Sequence, residues 1–173
     1  EAEKKLARLI KQYTLNETLA KQLLDSEYLP VFEDAAKLKG VQASTAAAFL
    51  TETIKALQRE GIHTHHVPEE QIMAIFQAVG AGELAKEAIA DVFSYLAKNE
   101  GKTLQDAVSA LGLKMFTEAD LAPIIDRIIV ANKAQIEKLG KNAFGILMGA
   151  AMKEVRGKAS PDIVGKMLRE RLQ

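Results

Sequence analysis

The sequence of 173 residues contains no cysteine and no tryptophan, and only 5% of it is aromatic. The missing cysteines exclude disulfides, thiolate nucleophiles and thiolate metal ligands. No apolar run reaches 18 residues, which excludes a transmembrane helix, and the first twenty residues do not form a secretory signal. We therefore expect a cytoplasmic protein with no membrane partner. The scarcity of aromatic rings also leaves few platforms on which single-stranded bases could stack, so recognition of a nucleic acid would depend on shape and backbone contacts.

Motifs typical of catalysis are also missing. There is no Walker A loop, no G-x-S-x-G elbow and no dinucleotide-binding fingerprint. His63, His65 and His66 are the one group resembling a metal site, but without cysteine or a suitably spaced carboxylate they favour a polar loop. We predict no catalytic residue, no metal site and no cofactor within these residues. Because the chain begins at Glu1 rather than methionine, we expect a fragment whose catalytic domain lies outside it.

What the sequence does contain is a helical hydrophobic period along almost its whole length. It predicts about ten helices, among them a long one from about residue 44 to residue 60. Residues 103–106 and 117–120 have the spacing of capping boxes, and Asn132 and Asn142 are candidate N-caps. The segment IIDRIIV is rich in β-branched residues, as strands are, yet its apolar positions keep helical spacing, which favours a helix. We predict an all-α fold with a helical domain at 1–100 and a small three-helix tail domain at 101–173.

Charge is distributed unevenly along a chain whose formal net charge is zero. Residues 1–132 contain 14 Lys and Arg against 19 Asp and Glu, whereas residues 133–173 contain 9 against 4. Such an asymmetry indicates a basic end that meets an anionic partner.

The stretch GILMGAAMKEVRGKASP, residues 145–161, places two glycines four residues apart in a predicted helix. Each glycine costs about 1 kcal/mol relative to alanine, so its presence requires a reason. On a helical wheel Phe144, Leu147, Met148, Ala151 and Val155 form the core face, and a second group lies about 130° away. That second group contains Gly145, Gly149, Met152, Lys153 and Arg156.

Two partners fit this glycine face equally well on chemistry alone. One is a neighbouring helix packed closely on the small residues. The other is a phosphodiester backbone held by Lys153, Arg156 and Lys158, with Gly157 ending the helix.

The run GILMGAAMKEVRGKASPDIVGKMLRERL resembles the tail of the B and E subunits of tRNA-dependent amidotransferases, a domain shared with the YqeY family. The segments GELAKEAIADVF and LAKQLLDSEYLPVFEDA are similar to other parts of the same subunits, so the resemblance extends over nearly the whole chain. R-G-K-A-S-P is its most specific part. The similarity is greater to the archaeal E type than to the bacterial B type.

The resemblance implies a part in converting Glu-tRNA(Gln) to Gln-tRNA(Gln), by a ligase that takes its amide from glutamine. It implies ATP and magnesium for the full-length subunit, a glutaminase- or asparaginase-type subunit as partner, and tRNA(Gln) as the bound RNA. Only the tail motif can be matched residue by residue. It assigns tRNA binding to six residues: Gly145, Gly149, Lys153, Arg156, Gly157 and Lys158. The alternative is a non-catalytic interaction module that docks a partner helix on the glycine face.

Overall fold

The computed structural model describes residues 1–173, and every regular element in it is a helix. The predicted all-α fold class is therefore confirmed. The chain divides into two compact units, Glu1–Leu113 (unit 1) and Lys114–Gln173 (unit 2). Unit 1 contains eight α-helices: α1 (Ala2–Tyr13), α2 (Glu17–Leu24), α3 (Leu29–Ala36), α4 (Ala43–Ala48), α5 (Ile54–Arg59), α6 (Glu69–Gly80), α7 (Ile89–Lys98) and α8 (Leu104–Leu111).

Helix α8 belongs to unit 1, although the sequence placed the division before it, at residues 100 and 101. It packs on α6 and α7. Ala107 is buried there, and Leu104 and Val108 are half-buried against the same apolar core. Because these side chains are covered only within unit 1, the division falls between Leu113 and Lys114.

The long helix expected at 44–60 is interrupted by a π-helical turn, Phe49–Thr53, between α4 and α5. Phe49, Leu50 and Thr51 are all buried, which covers more of the helix circumference than a regular apolar stripe does. The Thr51 hydroxyl donates a hydrogen bond of 2.7 Å to the carbonyl of Ala47. The Phe49 ring meets that of Phe93 edge to face, with 5.2 Å between centroids. The π turn therefore brings three consecutive side chains into the core of unit 1.

Two glycines of unit 1 meet backbone to backbone. Gly40 has a φ of +86°, and Gly80 is the last residue of α6. An ideal Cβ on Gly40 would lie 2.5 Å from the carbonyl oxygen of Gly80, and one on Gly80 would lie 2.6 Å from that of Lys39. Any side chain at either position would therefore force the backbone apart.

Unit 2 contains four α-helices, where the sequence analysis predicted a three-helix tail. One of the four is a short helix of seven residues that buries no side chain. The segment IIDRIIV is helical, as its spacing predicted. The helices are α9 (Glu118–Ala131), α10 (Lys133–Leu139), α11 (Phe144–Val155) and α12 (Pro161–Leu172), with a 3₁₀ turn at Gly140–Ala143.

Both predicted capping boxes are present, at Thr103 before α8 and at Thr117 before α9. At the second, the Thr117 amide donates to the Asp120 carboxylate at 2.9 Å, and the Asp120 amide donates to the Thr117 hydroxyl at 3.2 Å. The first of these bonds stabilises the ionised carboxylate and holds the pKa of Asp120 below its usual value.

The caps predicted at Asn132 and Asn142 are wrong. The Asn132 side chain donates to the carbonyl of Ile128 at 2.8 Å, so it closes the end of α9 instead of accepting a bond at the start of α10. Asn142 lies inside the 3₁₀ turn, and Ala143 precedes α11.

Helices α11 and α12 form an antiparallel hairpin around the core of unit 2. Phe144, at the start of α11, contacts Arg169 near the end of α12, and residues 156–160 form the turn between the helices. Three ion pairs join the pair of helices to α9: Glu118 with Lys166, Asp126 with Arg171, and Arg127 with Glu154.

Candidate nucleic-acid interface

The inner face of α11 holds the residues that the wheel assigned to the core. Leu147, Ala151 and Val155 are buried, and Phe144 and Met148 are half-buried. This burial fixes the rotation of α11 about its axis. The glycine face must therefore point away from the core of unit 2.

The glycine face of α11 is open. Gly145 and Gly149 are exposed, and no atom would lie within 4 Å of a Cβ built on either residue. Ile146, beside them, is 45% exposed. Close packing against another helix of unit 2 therefore does not explain these glycines. The strip is available to a partner outside the unit.

Two cations continue this strip toward the end of α11. Lys153 stands four residues after Gly149, and Arg156 follows the last residue of the helix. Both side chains are exposed and neither forms an ion pair, in contrast to Arg127 and Arg171 of the same unit. Their positive charge is therefore left for an external anion.

The charge of unit 2 as a whole has the same sign. Unit 2 contains eleven Lys and Arg against seven Asp and Glu, whereas unit 1 contains twelve against sixteen. Three of the seven acids of unit 2 are already paired with cations of the unit. The uneven charge read from the sequence thus belongs to two separately packed bodies, one acidic and one basic.

The turn after α11 is held by backbone hydrogen bonds. Gly157 has a φ of +80°, a conformation that glycine adopts without strain. The Lys158 amide donates to the carbonyl of Val155 at 2.8 Å, and the Lys158 carbonyl accepts from the amide of Phe116 at 2.7 Å. The Lys158 ammonium lies 5.6 Å from the centroid of the Phe116 ring.

The six residues singled out in the sequence thus lie on one helix and the turn that follows it. Gly145, Gly149 and Lys153 share one strip at four-residue spacing. Gly157 adopts the positive φ of the turn, and the Lys158 ammonium lies over the ring of Phe116. Sequence reasoning missed Phe116, because no local pattern connects it with a turn 42 residues away.

The histidine loop has other contacts. The His65 Nε2 atom lies 3.0 Å from Glu27, and the His66 Nδ1 atom lies 3.3 Å from Glu100. No three histidine or carboxylate side chains are grouped as metal ligands would be.

Close to this loop, burial and the charge of Glu27 raise the pKa of Tyr28 to about 12, so its phenol stays protonated at neutral pH. None of the helices is both long and apolar enough to cross a bilayer.

A scan against protein-family models matches residues 30–172 to the GatB domain. The chain belongs to the GatB domain family. The match runs from the beginning of α3 to the end of α12, so it includes unit 1 without α1 and α2 and almost the whole of unit 2. The resemblance to the amidotransferase B and E subunits is thereby confirmed.

Curated relatives of this GatB domain are named as the E subunits of glutamyl-tRNA(Gln) amidotransferases. The protein from Methanococcus maripaludis is 33% identical over 172 residues, which are 99% of this chain and 27% of the relative. Those from Thermococcus sibiricus and Methanospirillum hungatei are 32% and 34% identical over 98% and 95% of this chain, and 27% and 26% of their own lengths. The chain thus spans about a quarter of the length of the relatives it matches.

Proposed function

We propose that this chain is the tRNA-binding region of a glutamyl-tRNA(Gln) amidotransferase. It would position tRNA(Gln) for the ATP-dependent conversion of Glu-tRNA(Gln) to Gln-tRNA(Gln). In this proposal a catalytic domain outside the chain binds ATP and magnesium, and a glutaminase-type subunit supplies ammonia from glutamine. The names of the relatives support the reaction, and the absence of catalytic motifs from the sequence supports a binding role for these residues.

The observation that carries the proposal is the open glycine strip of α11 with unpaired cations at its end. Without side chains at Gly145 and Gly149, a polynucleotide backbone can approach the helix closely. Lys153 and Arg156 then reach the phosphates that lie toward the end of α11. Arg156 offers a planar fork of N–H donors that matches phosphate oxygens. Contacts of this kind set position and affinity without reading bases.

The test is binding of a tRNA(Gln) transcript to the 173-residue chain over a series of salt concentrations. Each phosphate contact releases condensed counterions, so affinity should fall steeply as salt is added. Arg156→Ala should weaken binding and reduce the slope of log affinity against log salt by close to one unit. The matched control is Arg59→Ala, which removes an exposed, unpaired arginine from the acidic unit 1 and should change neither quantity.

Gly149→Ala separates close approach from charge. The methyl group adds no charge, yet it holds the phosphates away from α11, so binding should weaken while the protein remains folded. The rival function is a module that docks a partner helix, and the exposed Ile146 beside the glycines favours it. Binding that ignores added salt, or an Arg156→Ala protein that binds tRNA as the unmodified chain does, would support this rival against RNA.

A further inference from the structure

The guanidinium of Arg169, in α12, lies over an aromatic ring. Its guanidinium carbon is 4.6 Å from the centroid of the Phe144 ring, at the beginning of α11. Gly165, one turn earlier in α12, lies beside this pair: an ideal Cβ there would be in ordinary van der Waals contact with both, 3.4 Å from Arg169 Nη1 and 3.6 Å from Phe144 Cζ. The guanidinium is thus positioned by contacts with the helix hairpin itself.

No acid of the protein neutralises this arginine. Arg127 and Arg171, also in unit 2, bind Glu154 and Asp126. Arg169 is exposed and forms neither an ion pair nor a hydrogen bond. A ring under one face of a guanidinium leaves its in-plane N–H donors free. Arg169 therefore keeps its full set of donors for an external anion while having less freedom to lose on binding.

The position of Arg169 extends the surface described above. Arg156 follows the end of α11, whereas Phe144 begins it, and twelve helical residues span about 18 Å. The open strip of Gly145 and Gly149 lies between these ends. Along the axis of α11, the unpaired Arg156 and Arg169 therefore lie at opposite ends of this strip.

We propose that Arg169, stacked on Phe144, is a second phosphate-binding residue for RNA, at the end of the α11–α12 hairpin opposite the turn. The proposal rests on the proposed function, because it requires RNA to follow the glycine face. It adds a residue outside the tail motif from which the site was inferred. It also assigns to the aromatic ring the task of orienting a cation instead of stacking a base.

The experiment measures affinity for a tRNA(Gln) transcript over a salt series with three variants of the full chain. Arg169→Gln should reduce affinity about tenfold, the value of one charge-assisted hydrogen bond, and lower the salt slope by close to one unit. Arg169→Lys keeps the charge but loses the planar fork, so it should weaken binding about threefold with an unchanged slope. Phe144→Leu keeps both the charge and an apolar side chain, and it should act like Arg169→Lys. Arg59→Gln serves as the control in unit 1.

The outcomes separate this proposal from the function on which it rests. If Arg156→Ala weakens binding and flattens the salt slope but Arg169→Gln does neither, the second anchor is wrong and the tRNA-binding function stands. If binding by all variants and by the unmodified chain is insensitive to salt, both are wrong and a protein partner is favoured. If Arg169→Gln weakens binding and Phe144→Leu, with an unchanged thermal melt, does not, the orienting role of the ring is overturned.

Discussion

Each unit of the chain contains a pair of glycines, and the two pairs have opposite surroundings. In unit 1 the backbones of Gly40 and Gly80 are in direct contact, so no side chain fits between them. In unit 2 Gly145 and Gly149, the second and sixth residues of α11, face open space. The first pair is required by packing. The second pair lowers helix stability and has no packing role inside unit 2, and the proposed function gives it a role in binding.

Charge follows the same division. Unit 1 is acidic, and unit 2 is basic with its α11 cations unpaired. The closely packed glycines therefore lie in the acidic unit, whose charge would repel a polyanion. The open glycines lie in the basic unit, whose charge would attract one. The comparison shows that the role of a glycine depends on the atoms around it. Each experiment below changes one of the two units.

The largest expected effect is the separation of the two units by limited trypsin digestion. We expect the first cut after Lys114, an exposed residue between the two cores that is preceded by Gly112 and Leu113. Mass spectrometry of the early fragments locates the cut. A first cleavage inside residues 43–59, for example after Lys55, would contradict the division.

Gly80→Ala should be far more damaging than a substitution in the open pair, Gly145 and Gly149. The new methyl group would lie 2.6 Å from the carbonyl oxygen of Lys39, and backbone movement to relieve it costs roughly 1–3 kcal/mol. Urea unfolding followed by circular dichroism measures the loss. A Gly80→Ala protein as stable as the unmodified chain would show that the backbone contact is dispensable.

Thr117→Ala removes the hydroxyl that accepts a hydrogen bond from the Asp120 amide. The loss of this N-cap should lower the free energy of unfolding of unit 2 by about 1 kcal/mol at neutral pH. It should also alter the response to acid. The folded pKa of Asp120 is lowered, so its contribution is present above the unfolded value of about 3.9 and is lost as the pH falls through the folded value.

The Thr117 amide lowers this pKa most and the Thr117 hydroxyl lowers it further, so losing the hydroxyl should flatten the acid side of the stability profile. Thermal melts between neutral pH and about pH 3 provide the measurement. Ser109→Ala, at an exposed helical position whose hydroxyl makes no hydrogen bond, is the control and should keep the original profile. An unchanged profile for Thr117→Ala would mean that the hydroxyl contributes nothing to acid stability.

The smallest expected change in stability comes from Gly149→Ala. Nothing obstructs the methyl group, and alanine is the better helix former by about 1 kcal/mol, so unit 2 should be equally stable or slightly more so. The midpoint of urea unfolding, measured beside that of Gly80→Ala, gives the comparison in one experiment. A clear loss of stability would place the glycine strip against a surface of the protein itself.

Features with local causes could be predicted from the sequence. The capping boxes follow from residues three apart, and the rotation of α11 follows from apolar residues within three turns. Five of the six candidate site residues fall within the spacing of one motif between positions 149 and 158, with Gly145 four residues earlier. The uneven charge was visible from counting alone.

Features that depend on distant residues could not be predicted. Gly40 and Gly80 are forty positions apart, and neither pattern around them indicates a contact. The stack of Arg169 on Phe144 requires the hairpin angle, which spacing does not give. The π turn at Phe49–Thr53 accompanies the burial of three consecutive side chains, and part of the core that covers them comes from helices elsewhere in unit 1. Asn132 was misassigned because the same side chain can end one helix or begin the next.

The hydrogen bond from Phe116 to the carbonyl of Lys158 closes a loop of 42 residues. Closing a loop of that length costs chain entropy that only the assembled helices α9 to α12 can offset. The Phe116 amide should therefore exchange with deuterium only when unit 2 opens as a whole, and not when a helix end frays. This single proton reports whether the turn carrying Arg156 and Lys158 is closed, so its exchange rate can be followed as RNA is added.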